Sequence, residues 1–426
     1  MDWLGRAKVQ FTHAPTTRGA LQMNGAPTNL LQLCREVTPA CHLDPFLSQC
    51  YFQTIKAAMS SSGPDLYYRR KVFQIDEAPY QGSFAVDFVV KPFDAMMPLD
   101  IGSNDSKPML VALHGLTGGS HEAYIRHVIA PLTQTGPWEA CVVISRGCAG
   151  SRMSSGIFYN ARSTWDIRHL VRWLREKYPN RTLFGIGFSL GASILTNYCG
   201  EEGRNCDFKG AIVLSIPFNL DFIVKTLKQS VVGKVCLGVM GSKVKSLLAT
   251  QREEIELYST VDLEKIFTST YMNEIDREIQ CPTWGYPTED AYYRDASCVD
   301  ALLNIKVPFV AIHATDDPLA IEAALPYEEF RHNPNTILIT TSKGGHLGWF
   351  ERGGSRWYTR LACNFLNRMA FDLDFGNSRE TEGTARHDCG NRRTSYNPLG
   401  RRLLLEEVTF GGATYTGEGF NQTQIF

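Results

Sequence analysis

Residues 182–191 read Thr182-Leu183-Phe184-Gly185-Ile186-Gly187-Phe188-Ser189-Leu190-Gly191, an apolar run that ends in a serine set between two glycines. Thr182 to Ile186 has the composition of a buried strand, and Ala192-Ser193-Ile194-Leu195-Thr196-Asn197-Tyr198 that of the first turns of a helix. A G-x-S-x-G at a strand-to-helix junction turns so sharply that the serine takes strained backbone angles. Gly187 and Gly191 lack side chains, so strand and helix can approach. The turn lifts the Ser189 hydroxyl above the sheet and points the free N–H groups of the helix at the same place. A lone motif of this kind also arises as a plain helix cap. The rest of the chain decides between the two.

A serine on such a turn needs a carboxylate and then a histidine further along the chain. Val307-Pro308-Phe309-Val310-Ala311-Ile312-His313 is an apolar strand that runs into Ala314-Thr315-Asp316-Asp317-Pro318. Thr336-Ile337-Leu338-Ile339-Thr340 is a β-branched strand that runs into Lys343-Gly344-Gly345-His346-Leu347-Gly348-Trp349. His346 is the candidate base, because a serine hydroxyl attacks only once a base takes its proton. Asp316 and Asp317 are both candidates for the acid that fixes the imidazole tautomer. Asp317 is preferred because it directly precedes Pro318, and the other aspartate would then cap or brace the loop.

A fourth element concerns the oxyanion. The apolar strand Pro108-Met109-Leu110-Val111-Ala112-Leu113 leads into His114-Gly115-Leu116-Thr117-Gly118-Gly119. Leu116 and Leu190, the residue after the nucleophile, are expected to supply the two oxyanion N–H groups. The ring of His114 is expected to brace this loop rather than carry protons.

Around these motifs strands and helices alternate. Strand 108–113 leads to helix 121–134, strand 140–145 to helix 163–177, and strand 182–187 to helix 190–199, before strand 210–215. This pattern predicts an α/β protein with a mostly parallel central sheet and helices on both faces. Residues 217–300 break the alternation and read as a helical cap insertion whose apolar positions could line an acyl pocket, while Lys225, Lys228, Lys234, Lys243 and Lys245 face solvent. The expected organisation is an N-terminal extension at 1–67, the main domain at 68–375, and a mobile tail at 376–426 in which Leu403-Leu404-Leu405 could dock. Leu30-Leu31-Gln32-Leu33-Cys34 is expected to start a helix, and Trp357 begins the last one.

With 43 basic and 44 acidic residues in 426, net charge −1, no general attraction for nucleic acid is expected. The twelve cysteines include no Cys-x-x-Cys pair and no Cys/His cluster at zinc spacing, so no metal is expected and a reducing compartment fits. Cys148 reads as a buried structural thiol. No signal peptide, no apolar stretch of the ~20 residues a bilayer needs and no S-K-L terminus is visible, so the expected location is cytoplasmic.

The motifs together resemble one branch of the α/β-hydrolases. That branch holds a group of bacterial hydrolases, the mammalian abhydrolase-domain phospholipases and the yeast medium-chain ethyl ester synthase/esterases. The matching stretches, within residues 25–370, are His114 to Ser120, Ser145-Arg146-Gly147-Cys148-Ala149-Gly150-Ser151, Tyr159-Asn160-Ala161, Gly187 to Ala192, Asn197-Tyr198-Cys199-Gly200-Glu201-Glu202-Gly203, and Gly344 to Gly348. The chain departs from the branch at residues 48–54, Ser-Gln-Cys-Tyr-Phe-Gln-Thr, where Asn-Gly-His-Leu-Gln-Thr is common; the resemblance implies that this segment shapes the substrate entrance.

The resemblance implies an α/β-hydrolase fold and ester, thioester or phospholipid acyl chemistry without a cofactor. The expected activity is hydrolysis of carboxylic esters with medium-chain or apolar acyl groups, through an acyl-enzyme on Ser189. The expected substrate is a small-molecule ester or acyl-thioester, and its binding residues are not assigned. Transfer of the acyl group to an alcohol, a role in secondary-metabolite biosynthesis included, and peripheral contact with a membrane or lipid droplet are left open; a non-enzymatic lipid-binding role is disfavoured because no triad member is missing. His313 to Asp317 also fits the H-x-x-x-D of plant-type acyltransferases, but its strand-end position suits a triad acid better. Glu351 stands where a H-x-x-x-x-D pattern after His346 would need aspartate.

Overall fold

The computed structural model describes residues 5–22, 25–92 and 102–374, with a short strand pair at 409–410 and 413–414. Nine strands form the main sheet: β1 (Val9–His13), β2 (Tyr67–Ile75), β3 (Gly82–Val90), β4 (Met109–Leu113), β5 (Glu139–Ile144), β6 (Leu183–Phe188), β7 (Phe208–Leu214), β8 (Phe309–Ala314) and β9 (Thr336–Thr341). Their spatial order is β1-β9-β8-β7-β6-β4-β5-β3-β2. Strands β4 to β9 are mutually parallel. The antiparallel strands β1 at one edge and β3 and β2 at the other complete it.

Successive side chains of a strand point to opposite faces, so a strand buried on both sides feeds two cores. Leu110, Ala112, Phe184, Ile186, Ile212 and Ile312 face one core. There they meet α1 (Leu30–Val37), α3 (Ala123–Gln134) and α14 (Trp357–Asn367). Val111, Leu183, Ala211 and Phe309 face the other core, which holds α4 (Thr164–Lys177), α5 (Leu190–Glu202), α12 (Val299–Asn304) and α13 (Tyr327–His332). Truncating a fully buried side chain such as Ile186 to alanine costs about 2–5 kcal/mol by lost transfer energy and cavity formation.

Between β7 and β8 the chain builds α6 (Leu220–Gln229), α7 (Val231–Ala249), α8 (Arg252–Tyr258), α9 (Leu263–Thr268), α10 (Met272–Trp284) and α11 (Glu289–Ala296). These six helices lie between Leu220 and Ala296. They enclose clusters of their own, such as Val244, Leu248, Ile255, Ile266, Ile275 and Ile279 with Met153 and Phe158. By contrast α12 lies against α5, where a Cβ on Gly200 would come within 2.4 Å of the Ala301 carbonyl oxygen.

The N-terminal stretch set apart at 1–67 is built into the sheet. In it, β1 pairs with β9, Thr12 opposite Leu338, and α2 (Cys50–Met59) packs beneath the loop that follows β9. The proposed 67/68 boundary falls inside β2. Leu403-Leu404-Leu405 and nearly all of the tail from 376 lie outside the described residues. Among the described residues no helix is long and apolar enough to cross a membrane.

Candidate active site

Ser189 ends β6 and caps α5 with φ 51° and ψ −118°, the strained elbow expected of the motif. Its N–H donates to the Leu214 carbonyl at 2.9 Å, and the Ala192 and Ser193 N–H groups donate to its carbonyl at 2.9 and 3.2 Å. Glycine at 191 is a steric requirement, because a Cβ there would lie 2.4 Å from the His114 carbonyl oxygen.

The turn brings Ser189 Oγ to 2.9 Å from His346 Nε2, and His346 Nδ1 lies 2.8 Å from Asp317 Oδ2. The other oxygen of Asp317 accepts from the Leu319 and Ala320 N–H groups at 2.8 and 2.9 Å. Burial pushes the Asp317 carboxyl up, but the charge and hydrogen bond of His346, with His313 and the Ala320 N–H, outweigh it and hold it below the ordinary value. The ionised form is therefore the one that faces the histidine.

Asp316 turns elsewhere. Its Oδ1 accepts the Gly345 N–H at 2.9 Å, so it ties down the loop that carries His346. Burial, opposed by that N–H and reinforced by the neighbouring Asp317, pushes it up to about 6. His313 is fully buried and bonds the Ala320 carbonyl oxygen through Nε2 at 2.7 Å, which braces the Asp317 turn.

The His346 loop is strained at Leu347 and Trp349, both non-glycine residues at positive φ. Several side chains hold it. Thr54 Oγ1 accepts the His346 N–H at 2.9 Å and Ser215 Oγ accepts the Leu347 N–H at 3.0 Å. Gln53 Oε1 accepts the Phe350 N–H at 2.8 Å, and the buried Arg356 donates to the Leu347 carbonyl. None of these four was singled out as a site residue from sequence. Gln53 and Thr54 fall in the 48–54 stretch, assigned there to the substrate entrance; they face the histidine loop instead.

On the other side of Ser189, the Gly115 N–H donates to the Tyr124 hydroxyl at 3.0 Å and the Thr117 N–H to the Tyr159 hydroxyl at 3.2 Å. The N–H of Leu116 between them, like that of Leu190, has no partner among the described residues. His114 bonds the Gly115 carbonyl oxygen through Nδ1 at 2.7 Å and accepts the Ser145 N–H through Nε2 at 3.1 Å. Burial holds it down to about 4, so it stays neutral and ties two loops together.

Other motif residues are also structural. Arg146 pairs with buried Asp166 and bonds the Tyr80 and Gln81 carbonyls. Glu201 and Glu202 pair with Arg168. Cys148 is fully buried, and its thiol is pushed up to about 12 by that burial.

Ser189 and His346 open into a pocket of roughly 1160 Å³, part of it open to solvent, between the sheet and the cap. Its wall is largely apolar, with Leu116, Leu190, Ile223, Leu237, Val244 and Ile279 among the lining residues. Among the described residues no group of three or more His, Cys, Asp or Glu side chains could hold a metal ion.

Residues 108–352 match the family described as alpha/beta hydrolase fold. The chain belongs to the α/β-hydrolase family. A monoacylglycerol lipase of Saccharomyces cerevisiae is 40% identical over 274 residues, 62% of this chain and 60% of that one. Medium-chain fatty acid ethyl ester synthase/esterase 2 of the same yeast is 29% identical over 282 residues, 62% of each chain. Phospholipase ABHD3 of Mus musculus is 27% identical over 318 residues, 74% of each. The branch indicated by the motifs is the branch of these relatives. This α/β-hydrolase spans about 60% of the length of the two yeast proteins.

Proposed function

We propose that the protein is a serine hydrolase of carboxylic esters with medium-chain or otherwise apolar acyl groups. The observation that carries this reading is the Ser189–His346–Asp317 chain of contacts, at 2.9 and 2.8 Å, at the mouth of an apolar pocket. Ser189 Oγ bonds to the ester carbonyl carbon while its proton passes to His346 Nε2. Asp317 stabilises the imidazolium. The Leu116 and Leu190 N–H groups receive the developing oxyanion, and a donor of that kind contributes roughly 3–4 kcal/mol to the transition state. The C–O bond to the alcohol then breaks, with His346 returning its proton to the leaving oxygen. Water, deprotonated by His346, cleaves the acyl-enzyme. Labelling with a fluorophosphonate, together with a p-nitrophenyl ester series of rising chain length, tests this: wild type should label and turn over, and Ser189→Ala should do neither.

Acyl transfer is the second reading. An alcohol in place of water attacks the same acyl-enzyme, and a relative named as both synthase and esterase supports it. Ester product formed in added ethanol would decide for it.

The same reading places the enzyme against a lipid surface in a reducing compartment. Phe46, Met59 and Val231 are about four-fifths exposed, and Phe52, Ile55, Val235 and Val239 more than half. They lie on or beside α2, which packs on the His346 loop, and α7, which lines the pocket. The eleven cysteines among the described residues are all free thiols, which supports the compartment. Cosedimentation with phosphatidylcholine vesicles, lost in Ile55→Asp and Val235→Asp, tests the lipid contact.

A further inference from the structure

The pocket is not apolar throughout. Helix α10 turns Met272, Asp276, Ile279 and Gln280 toward it, positions that share one face of a helix. Asp276 and Gln280 are each only 5% exposed, so what solvent access they have is through the pocket they line. Each has one partner. Asp276 Oδ2 accepts the Tyr293 hydroxyl at 2.7 Å, and Gln280 Oε1 accepts from Asn160 Nδ2 at 3.3 Å. The Tyr292 hydroxyl, on the same wall, accepts the Ala161 N–H at 3.3 Å and keeps its own proton to donate.

That leaves Asp276 Oδ1 and Gln280 Nε2 without a partner among the described residues. Neither is among the fully enclosed unpaired atoms, so both are reachable from the pocket. Buried polar groups are nearly always hydrogen-bonded. A site that leaves several short of partners on an otherwise hydrocarbon wall is shaped for a ligand carrying its own donors and acceptors. An acyl chain has none.

We propose that Asp276 and Gln280 form a polar subsite that receives a hydroxyl group of the substrate, the hydroxyl accepting from Gln280 Nε2 and donating to Asp276 Oδ1. This deepens the hydrolase reading and rests on it. A hydroxyl fits better than an ion. A second carboxylate would meet Asp276, and among the described residues no unpaired cation lines this wall to neutralise a phosphate, since Arg146 is held by Asp166. Burial pushes the Asp276 carboxyl up to about 7, against the Tyr293 hydroxyl bond and with the charge of Glu289.

Two sources carry this chemistry: a polyol on the alcohol side of the ester, as in a glyceryl ester, and a hydroxylated acyl chain. The test measures kcat/KM for the glyceryl and ethyl esters of one fatty acid, and for ethyl esters of that acid with and without a chain hydroxyl. Wild type should prefer the hydroxylated member of one pair by about tenfold or more, since one hydrogen bond left unmade is a factor of that order. Which pair shows the preference names the source. Gln280→Met, close in volume, should reduce that ratio about tenfold. Asp276→Asn, which keeps an acceptor for Tyr293, is the second variant should the first fail to fold, and it should lower the ratio in the same pair.

A wild-type ratio near one in both pairs, with ethyl ester turned over, overturns the subsite and leaves the hydrolase reading standing. An unchanged ratio in a folded variant also overturns it. No labelling and no turnover of any ester overturns both.

Discussion

Asp317→Asn separates the two aspartates that sequence alone leaves as alternatives, and its cost can be worked from the contacts. Asp317 is buried, and one of its oxygens already serves the Leu319 and Ala320 N–H groups. An amide in its place keeps those two bonds only by putting its oxygen there. Its NH2 then faces His346 Nδ1, where the carboxylate oxygen had been at 2.8 Å. Two donors cannot face each other, so Nδ1 gives up its proton and Nε2 takes it. Nε2 now presents a proton to Ser189 Oγ instead of a lone pair, and the base is lost while the fold is kept. The expected loss in kcat is about 10⁴, or about 5.5 kcal/mol of transition-state stabilisation. Asp316→Asn keeps an oxygen for the Gly345 N–H, so its loss should stay within about tenfold. Both variants are read by steady-state turnover of a p-nitrophenyl ester and by the rate of fluorophosphonate labelling. A kcat for Asp317→Asn within tenfold of wild type, or a larger loss from Asp316→Asn, would refute the reasoning.

Three further outcomes are expected. Thr54→Val removes the acceptor of the His346 N–H and leaves a donor unpaired, at a cost of about 1–3 kcal/mol. That should lower kcat roughly 10- to 100-fold with recovery in Thr54→Ser, and a wild-type kcat would count against the brace. Gly191→Ala drives a Cβ to 2.4 Å from the His114 carbonyl oxygen and should give insoluble or inactive protein; a soluble, active variant would show that the elbow can relax.

The third concerns pH. Asp276, facing Tyr293, Tyr292 and Glu289, titrates at about 7 when folded against 3.8 for the free group. The native state keeps a proton that the unfolded chain releases, so stability falls as pH rises from about 4 to about 7, by an amount on the order of 4 kcal/mol. Asp276→Asn keeps an acceptor for Tyr293 without this penalty. Its Tm should gain on wild type between pH 5 and pH 8; a constant gap would place the carboxyl in a wetter setting.

The parts of this protein that sequence reveals are those where a local pattern and a tertiary role coincide. Strand β6 and helix α5 meet at Ser189 because the apolar run, the two glycines and the helical pattern are contiguous, and the boundaries read from sequence differ by no more than three residues. The strand ending at Ala314 is largely apolar and the one ending at Thr341 is β-branched, which placed Asp317 and His346 in the loops that follow them. Strand β1 was missed. Val9-Gln10-Phe11-Thr12-His13 is half-exposed at a sheet edge, and its partner β9 lies at the far end of the domain. The Thr54 brace was missed for the same reason, since 292 residues separate it from His346. Asp276 and Gln280 look like an ordinary polar face of a cap helix until α11 folds over them and makes that face interior.

The braces explain why the N-terminal stretch belongs to the catalytic unit rather than preceding it. His346 sits in a loop where Leu347 and Trp349, neither of them glycine, take positive φ, and each such residue costs of order 1–3 kcal/mol. A loop so strained relaxes unless its surroundings over-determine it. Thr54 and Gln53 from α2, Ser215 after β7, Asp316 after β8 and Arg356 before α14 each take one backbone group of the segment Gly345–Phe350. Four separate parts of the chain thus fix one imidazole, and only one of them, the Asp316 turn, lies next to a triad residue in sequence. A loop held from four sides keeps Nε2 aimed at Ser189 before any substrate arrives, so in the proposed hydrolase the binding energy of an acyl chain would not be spent on placing the base. Removing residues 50–59 would leave Ser189, Asp317 and His346 in the chain but withdraw two of the five ties. The resulting enzyme should fall in kcat rather than in acyl binding, because the cap that lines the pocket does not include those residues.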